Sequence, residues 1–337
     1  LRNALLGTGN VVLEASRGAL DPVLDFAQSV SEGLSCRPRR LDCRFLYDAR
    51  GSELYERITE QPEYYPTRTE TAILARHAPD IAGLTGPLTL VELGSGSSVK
   101  TDHLFSAYLR RKPSLCYIPV DVSLSALHLA CRNLSRQRPG VRVVGIHGTY
   151  QEALPLFRAT SPTMVIFLGS TIGNLAQEEA TIFLGQVADH LAPGDYFLLG
   201  IDLVKSRQVL EAAYNDAAGV SEAFTRNLFM RINRELGSTL DISSIEHLAR
   251  YDSRQEQVEI HARFNRGQTI NIAPLNRYFT ISAGEKILVE ISRKFRIGEV
   301  QALLEYYGMK TCRIFSDERK WFGLLLMQKV PFRPNHS

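Results

Sequence analysis

The chain has 337 residues, 44% of them hydrophobic and 22% charged, with a formal net charge of +3. These values describe a soluble globular protein of one large or two medium domains, and the charge is too evenly balanced to suggest a nucleic-acid partner. The short basic clusters Arg37, Arg39, Arg40 and Arg110, Arg111, Lys112 lack interleaved aromatic residues and read as solvated faces. The five cysteines are odd in number, scattered and without a CxxC pair, which points to reduced thiols and a cytoplasmic setting. The eight histidines form no HxxxH or HxH pair, so no metal site is expected. No apolar run approaches the roughly 20 residues of a membrane span.

The first residue is Leu1 rather than Met, from which a start upstream is expected. Segment 1–20 contains apolar residues, but Glu14 and Arg17 interrupt them and no signal-peptide layout is present. A regular pattern begins at residue 87. "PLTLVELG" (87–94) reads as a buried strand followed by a helix to about Arg111, and "LCYIPVDVS" (115–123) as a second strand with a helix to about Gln137. "VRVVGIHG" (141–148) and "TMVIFLGS" (163–170) are the third and fourth strands. An amphipathic helix with a Pro-Gly stop follows, then "YFLLGIDLV" (196–204) as the fifth strand. Short apolar strands alternating with helices predict a parallel sheet covered on both faces.

After Val204 the rhythm changes to helical stretches and strand-like runs such as "QVEIHARF" and "KILVEISRKF". The helix "IGEVQALLEYYG" (297–308) then leads to two closing strands, "KTCRIFSD" and "WFGLLLMQ". This layout predicts an α/β fold, a Rossmann-like methyltransferase sheet with a second, discontinuous α+β domain for substrate. The first domain is expected to span 69–203 plus 295–337, and the second 16–68 plus 204–294.

The loop "VELGSGSSVKT" (91–101) admits three readings. As a phosphate loop it fails at Val99, which stands where GxxxxGK[ST] requires its last glycine; a β-branched residue resists the curl of N–H groups around phosphate. As a dinucleotide loop it has Gly94 and Gly96, but Val99 again replaces the third glycine. S-adenosylmethionine carries no phosphate and needs no third glycine. Asp121 ends the next strand, 27 residues after Gly94. Its carboxylate is suited either to accept both hydroxyls of a ribose or to cap the following helix.

The segments "FLYDARGSELYERITEQPEYYPTRTE" (45–70), "LVELGSGSSVKT", "FLGSTIGNL" (167–175), "YNDAAGV" (214–220) and "LVEISRKF" (288–295) occur in one order. Together they resemble the histidine Nα-methyltransferase family of ergothioneine biosynthesis, collinearly from about residue 40 to about 328. The resemblance implies an enzyme that uses S-adenosylmethionine to trimethylate the α-amino group of L-histidine, giving hercynine. A related activity on another amino acid or an aromatic amine, such as a tryptophan derivative, shares the outline. By motif, Gly94, Gly96, Lys100, Asp121, Thr149 and Tyr150 are implied as cofactor contacts, and Tyr47 and Tyr64 as part of the substrate pocket. Asn174 is implied to hold the amino acid head, with Tyr214 reaching the carboxylate. Glu290 and Ser292 are implied to read the imidazole, and Ile260 stands where the family often has Met. Where bacterial members usually have "GDF", this chain has Gly148, Thr149 and Tyr150; the hydroxyl of Thr149 accepts a hydrogen bond without the acid's charge. The resemblance also implies a monomer with a small-molecule substrate, placed between the two domains, and no nucleic-acid or membrane partner.

Methyl transfer from a sulfonium needs a neutral amine, an in-line approach and a dry pocket, so orientation supplies most of the rate. The catalytic assignments are therefore Asn174 and Tyr47, with no catalytic His or Cys. Asn174 taken alone suits a turn, but directly after the fourth strand it sits at the carboxyl edge of the sheet, where ligands bind. Each tyrosine taken alone suits packing. Glu290 is expected on one strand face with Leu288 and Ser292 by period-two alternation, either paired with an arginine or facing a ligand.

Overall fold

In a computed structural model of the protein, which describes residues 9–15, 21–96 and 98–331, the apolar runs become strands of one eight-stranded sheet. The loop residue Ser97 and residues 16–20 and 332–337 of the expected domains lie outside the described residues. In chain order the strands are β1 (Val11–Glu14), β2 (Thr89–Leu93), β3 (Leu115–Asp121), β4 (Val141–His147), β5 (Thr163–Phe167) and β6 (Tyr196–Asp202). There follow β7 (Ile245–Asp252), β8 (Gln257–Phe264), β9 (Gln268–Ile272), β10 (Arg277–Ile281) and β11 (Lys286–Arg293), then β12 (Met309–Ser316) and β13 (Phe322–Lys329).

The large sheet has the order β1-β4-β3-β2-β5-β6-β13-β12. Neighbours from β1 to β6 run parallel, and β13 is antiparallel to both β6 and β12. This is the expected Rossmann-like sheet, closed at one edge by an antiparallel hairpin. Alternate residues feed two apolar layers. Val91, Val165, Phe197 and Leu325 enter one, while Leu90, Met164, Leu198 and Leu324 enter the other. The closing hairpin turns on Asp317, whose carboxylate accepts the backbone N–H groups of Arg319, Trp321 and Phe322 at 2.7–3.0 Å. From β2 the chain steps outward to β3 and β4, then returns to β5 on the other side. The crevice at the carboxyl ends of β2 and β5 is thus the switch point where open α/β sheets bind ligands.

The sheet begins earlier than the sequence reading placed it. Val11–Glu14 pairs in parallel with β4, from Val11 opposite Val144 to Glu14 opposite His147. A four-residue run is too short to show periodicity. Pairing supplies what pattern does not, aided by the 2.8 Å contact between Glu14 and His147.

Contacts divide the described residues into two units, one holding this sheet (9–15, 66–204 and 294–331) and one formed by 21–65 and 205–293. The second unit contains a three-stranded antiparallel sheet, β11-β8-β7, and the hairpin β9–β10. Its helix Pro22–Ser35 starts where the sequence dictates. Asp21 accepts the N–H groups of Val23 and Leu24, and Pro22 takes a first-turn position that needs no donor. Helix Val220–Leu236 buries Phe224, Leu228 and Ile232 along one face.

Candidate functional site

In the first unit β2 ends at Leu93 and the chain turns at Gly94 (φ +68°), Gly96 (φ +48°) and Ser98 (φ +56°). A Cβ on Gly94 would lie 2.6 Å from the Tyr150 hydroxyl, so that position needs glycine for both space and conformation. Ser98 is buried in the left-handed region and is held there by a 2.8 Å bond between its hydroxyl and that of Tyr117. Asp121 stands at the tip of β3. Its Oδ2 accepts the Gly96 N–H at 3.0 Å and its Oδ1 the Ser123 N–H at 2.9 Å. Burial raises its carboxyl above the ordinary range, opposed by these N–H groups. Helix Leu124–Gln137 is capped by Ser123 rather than Asp121, which removes the capping alternative.

Beneath the loop Glu92 is only 3% exposed and accepts bonds from the hydroxyls of Thr101 (2.7 and 2.8 Å) and Tyr117. Burial pushes its carboxyl up to about 7. Lys100 donates from Nζ to Glu70, a fully buried carboxylate that also takes the Gly169 N–H on both oxygens. After β5 the chain turns through Gly169 (φ +74°) and Ser170 (φ +54°), whose hydroxyl accepts the Asp202 N–H at 2.9 Å. The 3-10 turn Thr171–Asn174 then carries Asn174. At the tip of β4, Thr149 starts a short helix. Its N–H and hydroxyl both donate to Glu152, at 2.7 and 2.9 Å, in a capping box for the short helix Tyr150–Ala153. The Tyr150 ring packs edge-on against Phe167 at 5.3 Å.

The second unit has a cavity of its own, lined by Tyr47, Tyr55, Tyr64, Tyr214, Phe224, His247, Ile260 and Glu290 among others. The Tyr47 ring meets Tyr55 at 5.5 Å and Phe224 at 5.4 Å, and Tyr64 meets Tyr214 at 6.0 Å. Burial keeps the Tyr64 hydroxyl protonated, well above the usual phenol range. Glu290 is half-buried and sits opposite Ile260 on the neighbouring strand. The strict alternation expected from Leu288 to Ser292 is interrupted, because the register shifts between Leu288 and Glu290. A bulge of this kind inserts one residue and re-aims the side chain that follows it. The Ser292 hydroxyl bonds that of Tyr214 at 2.7 Å. His247 fixes the main chain behind Tyr214. Its Nε2 lies 2.8 Å from the Tyr214 carbonyl, which only accepts, so the ring proton sits there and Nδ1 accepts from Thr225 at 2.8 Å. Burial lowers its pKa and favours this neutral form.

A profile described as histidine-specific, S-adenosylmethionine-dependent methyltransferase matches residues 26–329. The chain belongs to this family. The methyltransferase is 40% identical over 299 residues to a histidine N-alpha-methyltransferase of Mycolicibacterium smegmatis, covering 89% of this chain and 93% of that one. It is 38% identical over 306 residues to a histidine N-alpha-methyltransferase of Mycobacterium tuberculosis, covering 91% and 95%. At greater distance, it is 26% identical over 320 residues to a 4-dimethylallyltryptophan N-methyltransferase of Epichloe festucae var. lolii, covering 88% and 92%.

The methyltransferase uses S-adenosylmethionine, and the donor set at the strand tips suits that molecule. A carboxylate at β3 matches a ribose diol, an ammonium at Lys100 matches a carboxylate, and the Gly94–Gly96 turn lets backbone come close. Among the described residues the Ser95 hydroxyl is buried with no partner, which suits a polar ligand at this turn. Of the sequence-predicted residues, Gly94, Gly96, Lys100, Asp121, Thr149, Tyr150 and Asn174 lie in the first unit. Tyr47, Tyr64, Tyr214, Ile260, Glu290 and Ser292 lie in the second, where all but Ser292 line the cavity and Ser292 touches Tyr214. Sequence reasoning missed Glu70, Tyr55, Phe224 and His247. Glu152 was missed as well, although its spacing from Thr149 is that of a capping box.

Proposed function

We propose that the protein trimethylates the α-amino nitrogen of L-histidine to give hercynine, the first step of ergothioneine biosynthesis. The observation that carries this reading is a carboxylate, Glu290, set into a tyrosine-lined cavity beside a Tyr214–Ser292 hydroxyl pair. Glu290 accepts one imidazole N–H and Ser292 serves the other ring nitrogen, while Tyr47 and Tyr64 wall the cavity. Tyr214 reaches the carboxylate of the amino acid. S-adenosylmethionine supplies an electrophilic methyl group on a sulfonium. Each transfer forms one N–C bond as one S–C bond breaks, and the ammonium of histidine loses one proton before each. The chain's part is to select the neutral amine and orient it, which is worth several powers of ten in rate.

Gly94, Gly96, Lys100, Asp121, Thr149 and Tyr150 hold the cofactor in this reading. Asp121→Ala is then expected to weaken S-adenosylhomocysteine binding by about 1–3 kcal/mol, the cost of charge-assisted hydrogen bonds. Calorimetry on the folded variant checks it, and an unchanged affinity rules out the ribose contact. We place the enzyme in the cytoplasm as a monomer acting on a small molecule. None of the five cysteines forms a disulfide. No helix of the described residues is long and apolar enough to cross a membrane. Incubation with labelled cofactor and each common amino acid, read by mass spectrometry, tests the assignment. Hercynine should accumulate from histidine by way of the mono- and dimethyl forms. Labelling of tryptophan in place of histidine would overturn it.

A further inference from the structure

We propose that Glu70 is a positioning residue for the amino acid end of the cofactor, locking the Lys100 ammonium and the turn after β5 into one arrangement. This rests on the reading above that Lys100 meets the cofactor carboxylate. Glu70 lies near the start of helix Tyr65–Thr85, where a carboxylate would ordinarily face water. Instead it is fully buried. A carboxylate taken out of water must be both paired and hydrogen-bonded. Glu70 is both: its two oxygens take the Gly169 N–H at 2.8 and 2.9 Å, and Oε2 takes Nζ of Lys100.

The sheet reserves room for this carboxylate. A Cβ on Gly200, in the middle of β6, would stand 2.2 Å from Oε1 of Glu70, well inside any real contact. Gly200 has no positive φ, and glycine within a strand weakens it, so backbone conformation does not explain the residue. The space for Glu70 does. The loops after β2 and β5 and the body of β6 thus contribute to one buried group. Lys100 is 24% exposed, held from the inner side by Glu70. An incoming carboxylate meets a cation whose place is already fixed, which lowers the ordering cost of binding. In Glu70→Gln the amide oxygen still accepts from Gly169, but the amide nitrogen then faces the ammonium and displaces it.

The test uses calorimetry with two ligands, S-adenosylhomocysteine and 5′-methylthioadenosine, which lacks the amino acid end. Glu70→Gln and Lys100→Met should each lower affinity for S-adenosylhomocysteine about ten-fold, and the double variant no further, because both remove one interaction. Affinity for 5′-methylthioadenosine should stay within about two-fold in all of them, a separation that general loosening of the fold would not produce. Gly200→Ala, which alters neither charge, should reproduce the Glu70→Gln pattern and carries the comparison if that variant does not fold. Parent-like binding of S-adenosylhomocysteine by Glu70→Gln, additive losses, or an equal loss for 5′-methylthioadenosine would overturn the inference. A parent protein that binds no S-adenosylhomocysteine overturns the cofactor assignment itself, and the parent measurement alone tells the two failures apart.

Discussion

Replacing Glu290 by alanine should raise the Michaelis constant for histidine by ten- to a hundred-fold while S-adenosylhomocysteine binds as before. The magnitude follows from losing a charge-assisted hydrogen bond in a half-buried cavity, about 1.5–3 kcal/mol. Glu290 and Ile260 are cross-strand neighbours that both line the cavity, so an imidazole bound there would meet the carboxylate beside an apolar side chain. An indole offers a single N–H and can engage only one of the two polar groups, Glu290 or Ser292. Histidine should accordingly exceed tryptophan by roughly ten- to a hundred-fold in kcat/KM, a preference that Glu290→Ala reduces. Steady-state kinetics with both amino acids measure this. A variant that handles histidine as the parent does would remove the imidazole-reading role and leave the substrate an unspecified amine.

The second large effect is on stability and comes from Glu92. Its carboxyl has an ordinary value of 4.5 and is raised to about 7 by burial. An acid whose folded pKa lies above its unfolded one favours folding in its protonated form. The contribution is therefore complete below pH 4.5 and is lost as pH rises through 7. The loss amounts to about 3 kcal/mol across that window. In Glu92→Gln this pH dependence should vanish, because the amide is neutral throughout. Urea unfolding of parent and variant at a series of pH values from about 4.5 to 8 gives the difference directly. Parallel curves would show that Glu92 does not titrate in this range. Thr101 and Tyr117 donate to the same carboxylate, so ionisation keeps those bonds while adding a buried charge.

Much of the first unit was legible because buried parallel strands announce themselves as short apolar runs. "TMVIF" is buried at every residue, and no other element of that length reads so. β1 was not legible, since "VVLE" becomes a strand only by lying beside β4. The bulge before Glu290 was also hidden: nothing in "KILVEIS" distinguishes it from an unbroken strand. At the cofactor loop, Val99 argued correctly against a third glycine, but the left-handed turn at Ser98 depends on Tyr117, a residue on another strand. Glu70 lay within a motif already singled out, yet a glutamate in the first turns of a helix looks solvated. Only Gly169, Lys100 and Gly200, distant in sequence, reveal that it is not. Residues that pack locally can be read from the sequence, and residues whose meaning depends on remote partners cannot.

The position of β13 in the chain has a consequence during synthesis. β6 is laid down by Asp202, but the strand that pairs with its outer edge begins only at Phe322. While the ribosome adds the intervening segment, the backbone edge of β6 stays open, flanked by fully buried residues such as Phe197 and Leu199. At about 5–20 residues per second that interval lasts several seconds or more. The second unit, by contrast, has all its strands once Arg293 emerges. The nascent chain therefore completes the inserted part first, and carries an unguarded sticky edge until its last strand arrives.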